Sequence, residues 1–161
     1  MIEITFENKQ GERTVKSKSV EEILTVKADF GYVKDISDSI NQKDIMVFDC
    51  KLDKSVFKFE FLEEEEYEQY DVDQEEYLQV LFEDIKMYLK EICDDVADDL
   101  QEEYKYEDIK CKYEIYDLDE TFTDVKFVIC ISFKNIETAK LVDLARIVSK
   151  RQLKGSSKYF N

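Results

Sequence analysis

Two short Asp-x-Lys fragments, at 49–51 and 124–126, have a spacing that could do chemistry. Asp49-Cys-Lys51 and Asp124-Val-Lys126 match the fragment in which metal-dependent nucleases hold a metal ion and steady the attacked phosphate. A three-residue match is expected by chance in a chain so rich in Lys and Asp. A net charge of −16 would also repel a nucleic-acid substrate. We therefore expect that the protein is not an enzyme.

Two acidic stretches have the alternating oxygens of a calcium-binding loop. They are Asp71-Val-Asp73-Gln-Glu75 and Asp117-Leu-Asp119-Glu-Thr121. Both lack the central glycine and the terminal glutamate that such a loop needs. Helix capping and turn formation explain them more simply, so we expect neither a metal ion nor a cofactor.

Other catalytic designs fail on residue type. The chain has no histidine, which excludes a Ser-His-Asp triad, a Cys-His pair and any His-ligated zinc site. Its three glycines are far apart, so it has no glycine-rich phosphate loop. The cysteines form no C-x-x-C pair, and three of them fall in apolar strand patterns, which predicts reduced thiols in the core. The four are Cys50, Cys93, Cys111 and Cys130.

Length and composition predict one globular domain over residues 1–161. A hydrophobic content of 43% is enough for a core in spite of the high charge. No run approaches the roughly 18 apolar residues of a membrane-spanning helix, and the N-terminus lacks the features of a signal peptide. We expect a cytoplasmic protein that does not bind membranes, in the host cytoplasm if the chain is phage-encoded.

The N-terminal third predicts a hairpin and a short helix. Ile2, Ile4 and Phe6 alternate with polar residues, and 14–18 can return as the partner strand. A capping box at 19–22 opens a helix to about Ala28. Residues 29–43 are interpreted as a loop with one more helical turn.

Two further hairpins are predicted. The first pairs residues 45–52 with 56–62, and the second pairs 109–115 with 125–133. In the segments 56–62, 109–115 and 125–133, apolar side chains recur at every second residue, which is typical of strands.

A long helix between these hairpins is the strongest secondary-structure signal. Asp73 and Glu76 form a capping box, and apolar residues then recur at helical spacing from Leu78 to Leu100. A helix from Gln74 to around Tyr104 would be about 45 Å long.

The remaining residues predict a C-terminal helix. Asn135 can cap a helix that turns Leu141 and its helical neighbours inward, before a flexible tail at 155–161. The element order predicts the α+β class: one antiparallel sheet of about six strands, with the long acidic helix and the C-terminal helix packed on one face.

The negative charge is concentrated in one acidic segment, residues 60–120. This segment has 25 carboxylates against five lysines, a net charge of −20, whereas the whole chain has −16. Its carboxylates on the long helix fall outside the apolar stripe, and many lie near the C-terminal end, where helix stability favours Lys or Arg. Helix stability therefore does not account for them.

The acidic segment predicts a binding surface for a basic partner. Carboxylates about 6 Å apart along a helix resemble a nucleic-acid backbone, and tyrosines are favoured interface anchors. The expected partner-binding residues are Glu63, Glu64, Glu65, Glu66, Glu68, Glu83, Asp84, Glu91, Asp94, Asp95, Asp98, Asp99, Glu102, Glu103, Tyr67 and Tyr70. The alternative is a solvated face that only keeps the protein soluble.

These observations favour an acidic inhibitor that mimics nucleic acid and occupies the basic groove of a nuclease or a restriction or CRISPR effector, as phage and plasmid counter-defence proteins do. The alternatives are an immunity protein or antitoxin that neutralises a basic nuclease toxin and a non-inhibitory acidic adaptor subunit. We expect no direct binding of nucleic acid. A basic C-terminal segment could meet the acidic segment of a second copy, so a homodimer stays open.

Overall fold

The first two strands form the predicted N-terminal hairpin. The structure, a computed structural model, describes residues 1–27, 30–52, 74–118 and 125–160, without the side chains of 74, 75, 77, 78 and 155–160. Strand β1 (Glu3–Asn8) pairs with β2 (Gly11–Lys16) in an antiparallel two-stranded sheet. Gly11 ends the turn with a φ of 120°, a left-handed value that glycine adopts most easily.

Four further strands form a second antiparallel sheet. They are β3 (Phe30–Asp35), β4 (Ile45–Leu52), β5 (Lys110–Leu118) and β6 (Val125–Ser132), in the order β3-β4-β6-β5. The α+β class is confirmed, and so is the hairpin of β5 with β6. The six described strands make two sheets rather than one. The predicted strand at 56–62 lies outside the described residues.

Strand β3 lies in the stretch that the sequence analysis assigns to a loop. Only Phe30 of this strand is buried, so the alternation that marks a half-buried strand is missing. The pairing with β4 shifts register between Phe30 and Tyr32 at Gly31, where a glycine tolerates a bulge. The predicted helical turn is present as a 3-10 turn at Ser37–Ser39.

Three α-helices complete the described fold: α1 (Ser17–Lys27), α2 (Gln74–Tyr104) and α3 (Thr138–Phe160). The bounds of α2 match the prediction. Helix α3 starts three residues after Asn135 and continues through Phe160, so the tail predicted from Gly155 onward is helical up to Phe160. A single glycine costs a helix only about 1 kcal/mol and does not end it.

The helices cover both faces of the four-stranded sheet, which corrects the prediction of a single covered face. One face packs Phe48, Phe127 and Ile129 against α1, α2 and the β1–β2 hairpin. The opposite face packs Val47 and Val128 against α3. The central strands β4 and β6 are therefore buried on both sides.

Helix α2 ends in a Schellman-type cap. The Tyr106 amide donates to the Gln101 carbonyl at 3.1 Å, and Lys105 between them has a left-handed φ of 51°. A lysine replaces the usual glycine at this position, directly after the C-terminal end of the helix. The last helical turn itself contains no basic residue.

Candidate partner-binding surface

The acidic face of α2 exists because the opposite stripe of the helix is fixed in the core. Ile85, Leu89, Val96 and Leu100 are at most 1% exposed. Residues at the remaining helical positions must then point to solvent. Glu76 in the first turn is exposed, and the exposed carboxylates from Glu83 onward, which we call the acidic face, are Glu83, Glu91, Asp94, Asp95, Asp98, Asp99, Glu102 and Glu103.

The structure places the other predicted partner-binding residues differently. Asp84 is half-buried rather than exposed. The predicted residues Glu63, Glu64, Glu65, Glu66, Glu68, Tyr67 and Tyr70 lie outside the described residues. The acidic face of α2 is thus the part of the predicted surface that the structure describes.

Two members of the acidic face have partners within the chain. Lys27 of α1 forms an ion pair with Asp99, which ties the end of α1 to α2. Glu83 accepts from Lys86 at 2.8 Å and from the Gln79 side-chain amide at 3.1 Å. The Lys27 contact is missed by the sequence analysis, because 72 residues separate its two partners.

Six carboxylates of the acidic face have no lysine or arginine within ion-pair distance among the described residues. These are Glu91, Asp94, Asp95, Asp98, Glu102 and Glu103. They occupy the C-terminal half of α2, where the helix dipole disfavours negative charge. Their charge is left to solvent and to any binding partner.

Two tyrosines of the acidic segment belong to the edge of the core. Tyr106 stacks on Phe6 with ring centroids 4.7 Å apart, and Tyr104 meets the same ring edge-on at 5.9 Å. The Arg13 guanidinium lies 5.4 Å from the centre of the Tyr104 ring. These tyrosines attach the β1–β2 hairpin to the end of α2, so they are not free interface anchors.

The first Asp-x-Lys fragment is held in a structural network on the α3 side of the sheet. Asp49 accepts a hydrogen bond from the Tyr116 hydroxyl at 2.6 Å and one from the Gln152 side-chain amide at 3.0 Å. Burial, together with this hydrogen bond, raises the pKa of Tyr116. Both carboxylate oxygens of Asp49 are therefore engaged in holding β5 and α3.

The second fragment contributes Lys126, while Asp124 lies outside the described residues. Lys126 is the cross-strand neighbour of Lys51 and lies 3.8 Å from Asp117. A small cavity of about 260 Å³ opens beside these side chains. Within the described ranges, no group of three or more carboxylates and thiols could hold a metal ion.

The basic C-terminal segment lies on the opposite side of the sheet from the acidic face. Its exposed cations on α3 are Lys140, Arg146, Lys150, Arg151 and Lys154. Arg146 lies 3.8 Å from Asp143 on the same helix. The three layers of the fold thus separate an acidic outer surface from a basic one.

Comparison with known proteins gives no relative: no family model matches the chain, and no curated protein or solved structure matches it either. Among the described helices, none is both long and apolar enough to cross a lipid bilayer.

Proposed function

We propose that this chain is an acidic inhibitor that occupies the basic nucleic-acid groove of a DNA- or RNA-processing enzyme by mimicking a nucleic-acid backbone. A counter-defence protein directed against a CRISPR or restriction nuclease is the type we favour. The observation that carries the proposal is the set of six exposed carboxylates at the C-terminal half of α2 without a cation within ion-pair distance among the described residues.

The charge density of this surface supports mimicry. Seven carboxylates lie between Glu91 and Glu103, counting Asp99. At 1.5 Å per residue they occupy about 18 Å of helix, or one charge per about 3 Å. One strand of B-DNA has a phosphate about every 3.4 Å along the axis. A groove lined by Lys and Arg would thus meet a similar density of negative charge.

The energetic cost of the surface also supports a functional role. Like charges at i, i+4 positions destabilise a helix by a few tenths of a kcal/mol each, as in the pairs of Asp94 with Asp98 and Asp95 with Asp99. Carboxylates in the last turns add an unfavourable interaction with the helix dipole. A basic partner would remove both costs when it binds.

Affinity capture with matched baits tests the proposal. The first bait is the wild-type protein. The second has Asp94→Lys, Asp95→Lys and Asp98→Lys. The third has Glu7→Lys, Glu12→Lys and Glu22→Lys, three exposed carboxylates of the hairpin and α1. Both triple variants change the net charge equally, so they separate the position of the charge from its amount.

We expect the wild type and the hairpin-and-α1 variant to capture a nucleic-acid-binding enzyme, and the α2 variant to lose this capture. Added duplex DNA should displace the captured enzyme from the first two baits. Activity assays of the captured enzyme should then show inhibition by the wild type. Equal capture by all three baits would contradict the proposal, and so would a gel shift showing that the protein itself binds duplex DNA with micromolar affinity.

A further inference from the structure

A groove with a cavity volume of about 350 Å³ runs between α2 and β5. Phe82, Lys86 and Lys90 line it from one ridge of α2, at successive i, i+4 positions. The five consecutive residues 111–115 line it from β5. Successive side chains of a strand point to opposite faces, so a groove lined by all five residues must follow the edge of the strand.

Strand β5 is an edge strand within the described part of the fold. Its inner edge pairs with β6, and no described strand pairs with its outer edge. The outward backbone N–H and C=O groups of an edge strand can pair with another extended chain. The groove therefore gives access to a row of backbone donors and acceptors.

Two hydrogen bonds between α2 and the β5 side show how the helix and the strand are aligned along the groove. The Gln101 side-chain amide donates to the Ile109 carbonyl at 2.7 Å near one end. The Tyr113 hydroxyl donates to the Lys86 carbonyl at 2.9 Å farther along. Helix α2 and strand β5 therefore run antiparallel, and Tyr113 links the two walls.

The charges along the groove follow from this antiparallel arrangement. On α2, Lys86 and Lys90 lie between Phe82 at one end of the ridge and Asp94 at the other. On β5, Lys112 and Glu114 alternate with Cys111, Tyr113 and Ile115, so their side chains leave the strand edge on the side away from α2. Lys86 already has partners within the chain: it forms an ion pair with Glu83, and its ammonium group lies 4.7 Å from the centre of the Phe82 ring.

Lys90 and Lys112 have no carboxylate within ion-pair distance among the described residues, in a chain with 39 acidic and 23 basic residues. Carboxylates outnumber the basic side chains of this chain, yet no described carboxylate forms an ion pair with either of these two ammonium groups. The middle of the groove is complementary to an acidic ligand.

We propose that the groove binds an extended acidic peptide segment of a partner protein, which pairs as an added strand with the edge of β5 that no described strand occupies. Alternate residues of a strand are about 6.6 Å apart on one side, and Lys86 and Lys90 are about 6 Å apart along the helix axis. Two carboxylates at alternate positions would face these lysines while the peptide backbone pairs with β5. This binding mode uses the lysines of the groove, and it shares only Asp94, at one end of the groove, with the acidic face of α2.

Synthetic strand peptides provide the test, with the ¹⁵N-labelled full chain observed by NMR. The first peptide alternates Glu and Val, and the second alternates Lys and Val. The third repeats the Glu and Val sequence with N-methyl groups on alternate backbone amides, which keeps its charge but blocks strand pairing. We expect the first peptide to shift the amide signals of residues 111–115 and to bind at least tenfold more tightly than either of the others.

Protein variants locate the contact. Lys86→Gln with Lys90→Gln should weaken the first peptide at least tenfold, and the side-chain changes keep the Lys86 carbonyl that Tyr113 binds. Lys150→Gln with Lys154→Gln on α3 removes the same charge from the opposite side of the sheet, and it should leave the affinity unchanged.

Three results would overturn the proposal. Equal binding of the N-methylated peptide would mean that only charge is recognised. Slow hydrogen exchange at the outward amides of β5 in the free protein would mean that the edge is already paired. Tighter binding of adenosine triphosphate than of the acidic peptide at the same amides would mean that the groove takes small anions.

Discussion

The Ser17 hydroxyl of α1 donates a hydrogen bond to the Asp35 carboxylate of β3 and accepts one from the Ile2 amide at 2.8 Å. The Ser37 amide donates to the other Asp35 oxygen at 2.9 Å. Ser17 itself is fully buried. This small network joins the N-terminus, α1 and β3 through a single carboxylate.

The stability of the protein should depend on the ionisation of Asp35. Partial burial works to raise the pKa of Asp35, but the hydrogen bonds from Ser17 and Ser37 outweigh it, so the pKa is lowered from the usual 3.8. Because the folded-state pKa is the lower one, the stabilisation is complete above the unfolded-state value and disappears as the pH falls through the folded-state value.

Urea unfolding across acidic pH checks this dependence. We expect Asp35→Asn to be less stable than the wild type near neutral pH, with a difference that shrinks on acidification below the usual Asp pKa. Asp98→Asn, at an exposed position without an ion-pair partner among the described residues, should show no such destabilisation. A difference for Asp35→Asn that is constant with pH would contradict the assignment.

Replacing carboxylates of the acidic face should leave the fold intact or make it more stable. Asp94→Lys with Asp95→Lys and Asp98→Lys relieves like-charge repulsion and places cations nearer the helix C-terminus, each worth a few tenths of a kcal/mol. We expect the free energy of unfolding of this variant to equal or exceed that of the wild type at low salt. Raising the salt concentration should reduce the difference in the free energy of unfolding between the variant and the wild type, since exposed charges are screened over about 8 to 10 Å. A less stable variant would show that these carboxylates support the fold.

Helix α3 should contribute a second core layer as important as that of α2. Leu141 on α3 and Leu89 on α2 are both at most 1% exposed. Leu141→Ala and Leu89→Ala should each destabilise the protein by about 2 to 5 kcal/mol in chemical unfolding. Ile147→Ala on the exposed side of α3, where the residue is 58% exposed, should stay within about 0.5 kcal/mol of the wild type. If Leu141→Ala behaves like Ile147→Ala, α3 does not cover the sheet.

The buried thiols should be unreactive in the folded protein. Burial raises the pKa of Cys130 to about 12 and raises that of Cys50 well above the usual range. Ellman's reagent at mildly alkaline pH should therefore label neither Cys50 nor Cys130 in the native state, and all four cysteines in denaturant. Fast labelling of Cys50 or Cys130 without denaturant would contradict their burial, and a disulfide found by mass spectrometry would contradict the free thiols of the structure.

Strong local periodicity explains which elements could be predicted from the sequence. Helix α2 repeats its apolar residues over several turns, and β4 and β6 are long strands bounded by polar residues. Strand β3 could not be predicted in this way, because a short strand with one buried residue has no clear alternation. Its pairing with β4 depends on contacts formed in the folded chain and not on a local sequence pattern.

The two-sided burial of the sheet did have a signal in the sequence. Ile45-Met-Val-Phe48 and Val128-Ile-Cys-Ile131 are continuous apolar runs, which are typical of strands covered on both faces. The expectation of helices on one side only takes no account of these continuous runs. The groove beside β5 had no such signal, because it depends on how α2 is aligned with β5.

The acidic face of α2 and the cations of α3 lie on opposite sides of the sheet, so the charges of these described residues are polarised across the fold. In the field of a positively charged surface, such a molecule rotates during its approach so that α2 arrives first. Collisions in other orientations become less frequent, and association is faster than net charge alone would allow. Salt weakens this orienting torque. The layer order of the fold would therefore orient the protein toward a basic partner of the proposed kind before any contact forms.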